Sequence, residues 1–222
     1  MSIVSLTEQV SKLSTSISSY LEDNRLAQPD FTAQSVSVPE TREYEALRNQ
    51  LNDAAQDLIR LVNGPKNILR TWTWSVTDLA ALQVALSRKF YEIVPTDNAG
   101  ATASEIAEKS GMDEDRTSRI LKMLATYRIF EEVCPTHDVQ QLRRILKVHQ
   151  VDGKFRHTAS SEFLRTSVFT AMCETALDDC FKATSDTNVW LETSPHSMGV
   201  EDSPFHTRCR ISPCLAASQL QL

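Results

Sequence analysis

The stretch 102–133 reads TASEIAEKSGMDEDRTSRILKMLATYRIFEEV, and this stretch decides the fold. Thr102 and Glu105 have the spacing of a capping box, in which two side chains satisfy backbone donors at the start of a helix. Gly111 supplies the permissive backbone that a tight turn between two helices requires. Phe130 then opens a segment that alternates with acidic residues, as in a half-buried strand. The stretch therefore predicts a helix-turn-helix that leads into a strand, which is the pattern of a winged helix.

The second helix of this stretch carries both signs of charge. Acidic residues 113–115 open it, at the end where the helix dipole favours negative charge. Arg116, Arg119 and Lys122 follow and are candidates for contacts with DNA phosphates. The acidic opening favours a solvated face with local ion pairs instead. DNA binding is therefore the alternative function, and nucleic acid is not the expected partner.

The composition narrows the class of protein. Of 222 residues, 41% are apolar, which is enough to bury a core. The net charge of −6 argues against nucleic acid as the main partner, because phosphate binding usually shows a basic footprint. No apolar run is long enough to span a bilayer, and residues 1–20 lack the features of a signal peptide. We expect a cytoplasmic protein without a membrane partner.

The cysteines give no sign of a metal site. They show neither CxxC spacing nor a Cys/His ligand pattern. Without a secretory signal, disulfides are not expected. The sequence predicts free thiols and no bound metal for the five cysteines, Cys134, Cys173, Cys180, Cys209 and Cys214.

The first 90 residues predict helices joined by a linker. Apolar residues in 3–21 alternate at spacings of three and four, as in a helix that packs on a partner helix. Pro29 and Pro39 bracket a polar, extended linker, so residues 1–39 form an N-terminal helix and linker. The next helix spans 40–63 and ends at Gly64-Pro65. Two further helices are predicted, one from Lys66 to Trp74 and one over 76–90.

The pattern changes after the strand that follows the helix-turn-helix. The segment KFRHT, 154–158, looks like the returning strand of a small β-hairpin wing, so residues 134–152 are an insertion in that hairpin. The helical and winged-helix domain accordingly covers 40–158. Helical spacing resumes over 159–209, and 210–222 form an irregular tail. The fold class is mainly α, with a winged helix-turn-helix and a small hairpin.

From about residue 40 to 209 the chain resembles the fungal O-methyltransferases of secondary metabolism, relatives of the plant caffeate type. Three segments carry the resemblance: the stretch 102–133, then GKFRHTASSEFL (153–164), then the region TNVWLETSP (187–195) with DSPFHTR (202–208). The resemblance implies a helical dimerisation region with a winged helix, normally joined to a Rossmann-like domain. Such relatives transfer a methyl group from S-adenosylmethionine to a phenolic hydroxyl of a polyketide-type aromatic.

The sequence shows no motif of the cofactor-binding half of that family. Family members bind S-adenosylmethionine at a glycine-rich turn after the first strand of a βαβ unit. The five glycines here, Gly64, Gly100, Gly111, Gly153 and Gly199, are all at least ten residues apart. None of the histidines matches the family's catalytic base. We expect a truncated member that binds no cofactor by itself, has no catalytic residue and pairs with itself or with a full-length relative.

The resemblance also suggests which residues face the acceptor and the dimer partner. In the family, the region after the wing lies near the acceptor site. An apolar wall for an aromatic small molecule is predicted at Phe169, Met172, Trp190, Met198 and Phe205. The dimer interface is predicted at Leu47, Leu51, Leu58, Trp72 and Trp74. His157, in the returning strand, is interpreted as a hydrogen-bonded strand residue in preference to a catalytic base.

Overall fold

The fold begins with a pair of helices of unequal length. The computed structural model describes residues 1–97, 99–133, 153–196, 199 and 203–205. Helix α1 spans Ile3–Asp23 and packs along the first half of α2, which spans Arg42–Ser87. Leu6, Leu13 and Leu21 are the buried residues of α1, and their spacing follows the seam predicted from the sequence. The rings of Tyr20 and Tyr44 lie 5.7 Å apart where the two helices meet the linker.

Helix α2 is interrupted once. Gly64 has φ 67° and ψ 168°, a conformation that only glycine adopts without strain, and Pro65 follows it. The predicted stop at Gly64-Pro65 is therefore a break between two helical runs. The predicted boundary near Trp74 is wrong, because the second run continues to Ser87. After Pro65 no proline or glycine occurs that could end it.

A compact unit follows α2. It contains α3 (Phe90–Ile93), β1 (Ala101–Thr102), α4 (Ala103–Ser110), α5 (Glu114–Thr126), β2 (Phe130–Val133) and β3 (Lys154–His157). The capping box of Thr102 and Glu105 forms at α4, Gly111 adopts the left-handed conformation at its end, and Asp113 caps α5. These features confirm the sequence-based placement of the two helices and of the turn between them.

The strands form one three-stranded antiparallel sheet. β3 lies in the centre, with β1 on one side and β2 on the other. The register pairs Ala101 with Phe155 and Phe130 with His157. The sequence predicted two strands, and the structure adds a third, β1. This strand is only two residues long and therefore gives no periodic signal. Residues 134–152, where the insertion is predicted, lie outside the described residues.

One core joins the end of α2 to the sheet and to α4 and α5. Its buried members are alanines on α2, on β1 and at the start of α4, and larger apolar side chains elsewhere. They are Ala81, Ala85, Phe90, Val94, Ala101, Ala103, Ile106, Leu121, Leu124, Phe130 and Phe155. A second cluster, formed by Leu86, Tyr91, Leu164 and Leu177, connects α2 to the helices after the sheet.

The helices after the sheet are short and follow one another closely. They are α6 (Ala159–Phe163), α7 (Ser167–Glu174), a π-helical segment (Thr175–Cys180), α8 (Phe181–Ser185) and α9 (Thr187–Thr193). Helical structure was predicted from 159 onward, and it is present to Thr193. The predicted tail at 210–222 lies outside the described residues. The described part of the chain is thus mainly helical, with one small antiparallel sheet.

Candidate functional site

A cavity of about 690 Å³ lies between the linker and the helices α6 and α7. This volume falls within the range of roughly 300–1,000 Å³ that is usual for small-molecule sites. The linker contributes one wall, and α6, α7 and one residue each from α2 and the start of β2 contribute the other. The lining residues are Ala33, Ser35, Val36, Ser37, Val38, Glu40, Leu82, Ile129, Ala159, Ser160, Glu162, Phe163, Leu164, Thr166, Phe169 and Cys173.

The linker residues 33–40, which we call the strap, are held at both ends. Just before the strap, Thr32 forms a β-bridge with Thr158, and the guanidinium of Arg128 lies 5.3 Å from the ring centre of Phe31. Just after it, the hydroxyls of Tyr20 and Thr41 lie 2.6 Å apart. A cation over an aromatic face contributes about 0.5–1 kcal/mol at an exposed site. The strap is therefore fastened at its two ends and crosses the cavity between them.

The opposite wall is positioned by Thr158. Its backbone N–H donates to Ser161 Oγ, and Thr158 Oγ1 in turn caps α6, which completes a capping box. The same hydroxyl lies 2.7 Å from the carbonyl oxygen of Arg128 and 2.9 Å from that of Ile129. Thr158 thus fixes the start of α6 relative to the start of β2, and Ile129 and Ala159 on either side of this contact line the cavity.

Aromatic rings close one side of the cavity. Phe163 on α6 and Phe169 on α7 pack edge to face, with ring centres 4.7 Å apart. Pairs of this geometry contribute about 0.5–1.5 kcal/mol beyond the area they bury. The thiol of Cys173 lies one turn further along α7, and burial raises its pKa. A protonated thiol adds another apolar surface, so this wall suits a planar apolar ring.

The charged groups that line the cavity are both acidic. Glu162 Oε2 lies 3.4 Å from Nε of Arg165, which shields part of its charge. Glu40, at the end of the strap, has no ion pair within the described residues. No lysine, arginine or histidine is among the described residues that line the cavity. The cavity is therefore apolar with a negative edge.

His157 lies buried directly behind this wall. Its Nε2 is 3.0 Å from the carbonyl oxygen of Val94, which can only accept, so Nε2 carries the proton. Nδ1, 2.9 Å from Ser161 Oγ, must then accept from that hydroxyl in the neutral ring. Burial lowers the pKa of His157, although the Val94 carbonyl and Glu162 oppose this effect. With both nitrogens bonded inside the protein, His157 is a structural strand residue, as the sequence predicted.

The residues of the predicted acceptor wall are dispersed. Phe169 lines the cavity, whereas Met172 and Phe205 are exposed. Trp190 lies on α9 with its indole Nε1 buried and without a hydrogen-bond partner among the described residues. Met198 lies outside the described residues. The structure thus places one of the five residues at the cavity.

Other residues of the cavity were not identified from the sequence. Val36 and Val38 belong to a polar, proline-bracketed linker, and such a composition does not indicate that the segment folds back onto the protein. Glu40 lies at the predicted start of the next helix. Phe163 and Glu162 follow the capping sequence Thr-Ala-Ser-Ser. This sequence predicts the start of a helix but not which residues pack around it. The cavity depends on a contact between Thr32 and Thr158, which are distant in sequence.

The residues of the predicted dimer interface fall into two groups. Leu47, Leu51 and Leu58 are half-buried on the α2 face that also carries buried Tyr44 and Ala54, and α1 packs on this half of α2. The two tryptophans are exposed. The accessible fraction is 76% for Trp72 and 61% for Trp74.

Within the described residues, no group of three or more His, Cys, Asp or Glu side chains is arranged to hold a metal ion. None of the helices that the structure describes is both long and apolar enough to cross a bilayer.

Solved structures share this arrangement of elements. The crystal structure of OxaC superposes with a TM-score of 0.66 at 14% identity, over 92% of this chain and 43% of the OxaC chain. LepI, solved in complex with SAM, superposes with a TM-score of 0.62 at 14% identity, over 92% of this chain and 44% of its own. At this level of identity the likeness defines the fold alone, and it covers less than half of each of these chains.

Curated sequences define the family. The O-methyltransferase sol2 of Alternaria solani is 37% identical over 207 residues, which cover 93% of this chain and 44% of sol2. The chlorophenol O-methyltransferase of Trichoderma longibrachiatum is 27% identical over 72% of this chain and 31% of its own length. No family model matches the sequence. The chain belongs to the fungal O-methyltransferases of secondary metabolism, and it spans less than half the length of these relatives.

Proposed function

We propose that this chain is the acceptor-binding and self-associating helical part of a SAM-dependent O-methyltransferase that acts on aromatic secondary metabolites. The observation that carries the proposal is the cavity beneath the strap, whose size and aromatic wall suit a planar ring. Membership in the O-methyltransferase family supplies the reaction: a methyl group passes from SAM to a hydroxyl of the acceptor.

The described residues contribute positioning to this reaction. Methyl transfer requires the acceptor oxygen to be aligned with the methyl carbon, and holding a ring between packed walls supplies much of the rate in such reactions. Phe169 and Leu82 hold the ring from two helices, and the strap limits its movement from the third side. His157 does not take the phenolic proton, because both of its nitrogens are bonded internally.

We further propose that SAM binds to a part of the relatives that this chain does not match. Gly64, Gly100 and Gly111 have positive φ, and they lie at a helix break, before a two-residue strand and at a helix end. None of them lies between a strand and a helix in the manner of a nucleotide-binding turn. Titration of SAM into the purified chain in a calorimeter should give no heat of binding, and micromolar binding would contradict this assignment.

The cavity itself is tested with 2-naphthol, a neutral fluorescent aromatic. It should bind the purified chain with a one-to-one stoichiometry. Phe169→Ala removes an aromatic contact worth about 0.5–1.5 kcal/mol and should weaken binding roughly two- to tenfold. Val168→Ala is the matched control, since Val168 is the adjacent α7 residue and points into solvent. Equal losses in both variants, or no binding to the wild type, would contradict the proposal.

We interpret α4, α5 and the sheet as a winged helix that serves packing. Arg119 is paired with Asp115 on the same helix, and the helix opens with acidic residues. Its inner face is occupied by the core through Leu121 and Leu124. No observation favours phosphate binding by this helix, so the alternative of a DNA-binding protein gains no support.

We propose that the middle of α2 forms the surface through which the chain self-associates. At 100° per residue, Trp72 and Trp74 lie on opposite sides of the helix, and both are exposed. Leu69 and Val76, one turn away on the Trp72 side, are exposed as well. A helix that is apolar on opposite sides is normally enclosed. Charged residues are also sparse here, since Lys66, Arg70 and Asp78 are all that occur over 62–79, as in the centre of an interface.

The partner that we propose is a second copy of this chain, with a full-length relative as an equivalent partner. Helix α1 is shorter than α2, because 21 residues span about 32 Å and 46 residues about 69 Å at 1.5 Å per residue. Its N-terminal end lies beside Gly64 and Ile68, where Met1 and Leu6 line the same groove. The contacts of the compact unit with α2 begin at Asp78, which accepts a hydrogen bond from Tyr127. The stretch between is covered by neither, so two such helices can enclose each other.

Size-exclusion chromatography with light scattering tests this association. The wild type should elute as a dimer, and Trp72→Glu should shift it towards the monomer mass of 24.9 kDa. Gln50→Glu is the control, since it adds the same charge at an exposed position of α2 outside the proposed interface. Because Trp72 is exposed, its replacement leaves the monomer fold intact, which circular dichroism checks. A monomeric wild type at micromolar concentration, alone and mixed with sol2, would overturn the proposal.

A further inference from the structure

We propose that the cavity beneath the strap selects aromatic molecules that carry an amine cation and rejects aromatic anions. The inference rests on the proposed function, in which this cavity holds an aromatic acceptor, and it adds the charge of the ligand. The two carboxylates and the absence of any basic group among the described lining residues motivate it.

The walls require an apolar ring. Leu82, Ile129 and Phe169 approach from α2, the start of β2 and α7, and Val36 faces them from the strap. A hydrated ion gains nothing from such surfaces, because burying charge without a partner is costly. The part of the ligand that enters between the strap and the helices must therefore be an uncharged ring.

The charged end of the ligand meets Glu40 and Glu162. Glu162 is shared with Arg165, whose Nε lies 3.4 Å away and which does not line the cavity. Glu40 has no ion pair within the described residues, so its charge is available to a ligand. An ammonium group on the ring would be attracted by both carboxylates, whereas a ligand carboxylate would be repelled by both. A ligand with a neutral hydroxyl should bind with an affinity between those of the ammonium and the carboxylate.

Exposed ion pairs are weak, and Glu40 is exposed. We therefore expect a difference of about fivefold in dissociation constant between a cationic and a neutral ligand of the same ring, and a further loss of about fivefold for an anionic one. The difference should shrink in 1 M salt, where the screening length is about 3 Å.

The experiment compares three naphthalene derivatives by calorimetry on the full chain at pH 7.5 and low salt. They are 2-naphthylmethylamine (cation), 2-naphthol (neutral) and 2-naphthoate (anion). The expected order of affinity is amine, then alcohol, then carboxylate. Glu40→Gln should remove most of the difference between the amine and the alcohol without changing the affinity for the alcohol. Glu43→Gln removes the same charge from the first turn of α2, outside the cavity lining, and should leave the order intact.

The results separate this inference from the proposed function. If the three ligands bind equally, or if the carboxylate binds best, the charge selectivity is wrong while the aromatic site stands. If Glu43→Gln and Glu40→Gln have the same effect, the selectivity comes from net charge and the assignment to the cavity is wrong. If none of the three ligands binds, the aromatic site fails and this inference fails with it.

Discussion

The compact unit and the middle of α2 differ in how far their apolar residues are buried. In the unit, Phe90, Ile106 and Phe130 are fully buried by neighbours from the same chain. In the middle of α2, Trp72 and Trp74 leave most of their surface in water. The first region is complete within one chain. The second leaves large apolar side chains exposed, and we propose that a partner chain covers them.

The same contrast exists in the lengths and ends of the helices. α4 and α5 are short, and each begins at a side-chain cap, Thr102 in one case and Asp113 in the other. α2 has 46 residues, and α1, which packs along its N-terminal part, covers less than its full length. Helices of either length depend on packing for most of their stability, but local caps fix where the short helices begin. The comparison predicts different sensitivities to mutation in the two regions.

The largest effect should come from Phe130→Ala. Phe130 is fully buried between the sheet and the helices, so its loss leaves a cavity and should reduce the free energy of unfolding by about 3–5 kcal/mol. Urea denaturation followed by circular dichroism measures this change. Trp72→Ala, measured at a concentration where the chain is monomeric, should change the same quantity by less than about 0.5 kcal/mol.

The contrast would fail if Trp72→Ala destabilised the monomer as much as Phe130→Ala does. That result would mean that residues outside the described part of the chain cover the middle of α2. A concentration-dependent stability of the wild type, absent in Trp72→Ala, would sharpen the comparison, because stability then includes the association.

A second test concerns polar contacts in the compact unit. Thr158 is buried, and its hydroxyl lies within hydrogen-bond distance of two backbone carbonyls. Thr158→Val leaves these oxygens without that donor and should cost about 1–3 kcal/mol in the same denaturation experiment. Thr126→Val is the control, since its hydroxyl donates to a carbonyl at an exposed helix end. Similar losses for both threonines would contradict a special role of Thr158 in joining α6 to β2.

The strap provides a second readout for Thr158. Because Thr32 forms a bridge with Thr158, a shift of this residue should loosen the strap as well as α6. Binding of 2-naphthol should therefore weaken in Thr158→Val and remain unchanged in Thr126→Val. An unchanged affinity in both would show that the cavity does not depend on this anchor.

The sequence allowed the local features of the compact unit to be predicted. The capping box at Thr102, the turn at Gly111 and the cap at Asp113 each involve residues three or four positions apart, so their chemistry is visible in the order of residues. The strand at Phe130 was visible from its alternation. The two-residue strand β1 was not, because two residues carry no period and the strand exists only through its pairing with β3.

The features that depend on distant residues were missed or wrongly placed. The helix boundary near Trp74 was wrong, since neither glycine nor proline occurs between Pro65 and the end of α2 at Ser87, and the helix runs through that position. The cavity required knowing that the linker returns to Thr158. The acceptor wall was predicted by analogy from apolar residues, of which Phe169 is the one placed at the cavity. Local chemistry was therefore predictable, and the site was not.

The smallest effect is a pH dependence from His157, and its sign follows from the direction of its shift. Burial lowers the pKa of this ring below its usual 6.5, so the unfolded chain takes up a proton at a higher pH than the folded chain does. The free energy of unfolding should accordingly be unaffected by this group above about pH 6.5. It should fall as the pH drops towards the folded-state pKa, and below that value it should change no further on account of this group.

Comparing stability curves between pH 7.5 and 5 for the wild type and His157→Gln isolates this contribution. The variant is less stable at pH 7.5, since it loses the bonds to Val94 and Ser161, but its curve should be flatter in this window. His196→Gln, at an exposed histidine after α9, should keep the slope of the wild type. If His157→Gln keeps that slope too, the ring takes up its proton at the same pH in the folded protein as in the unfolded chain, and the lowering of its pKa by burial is wrong.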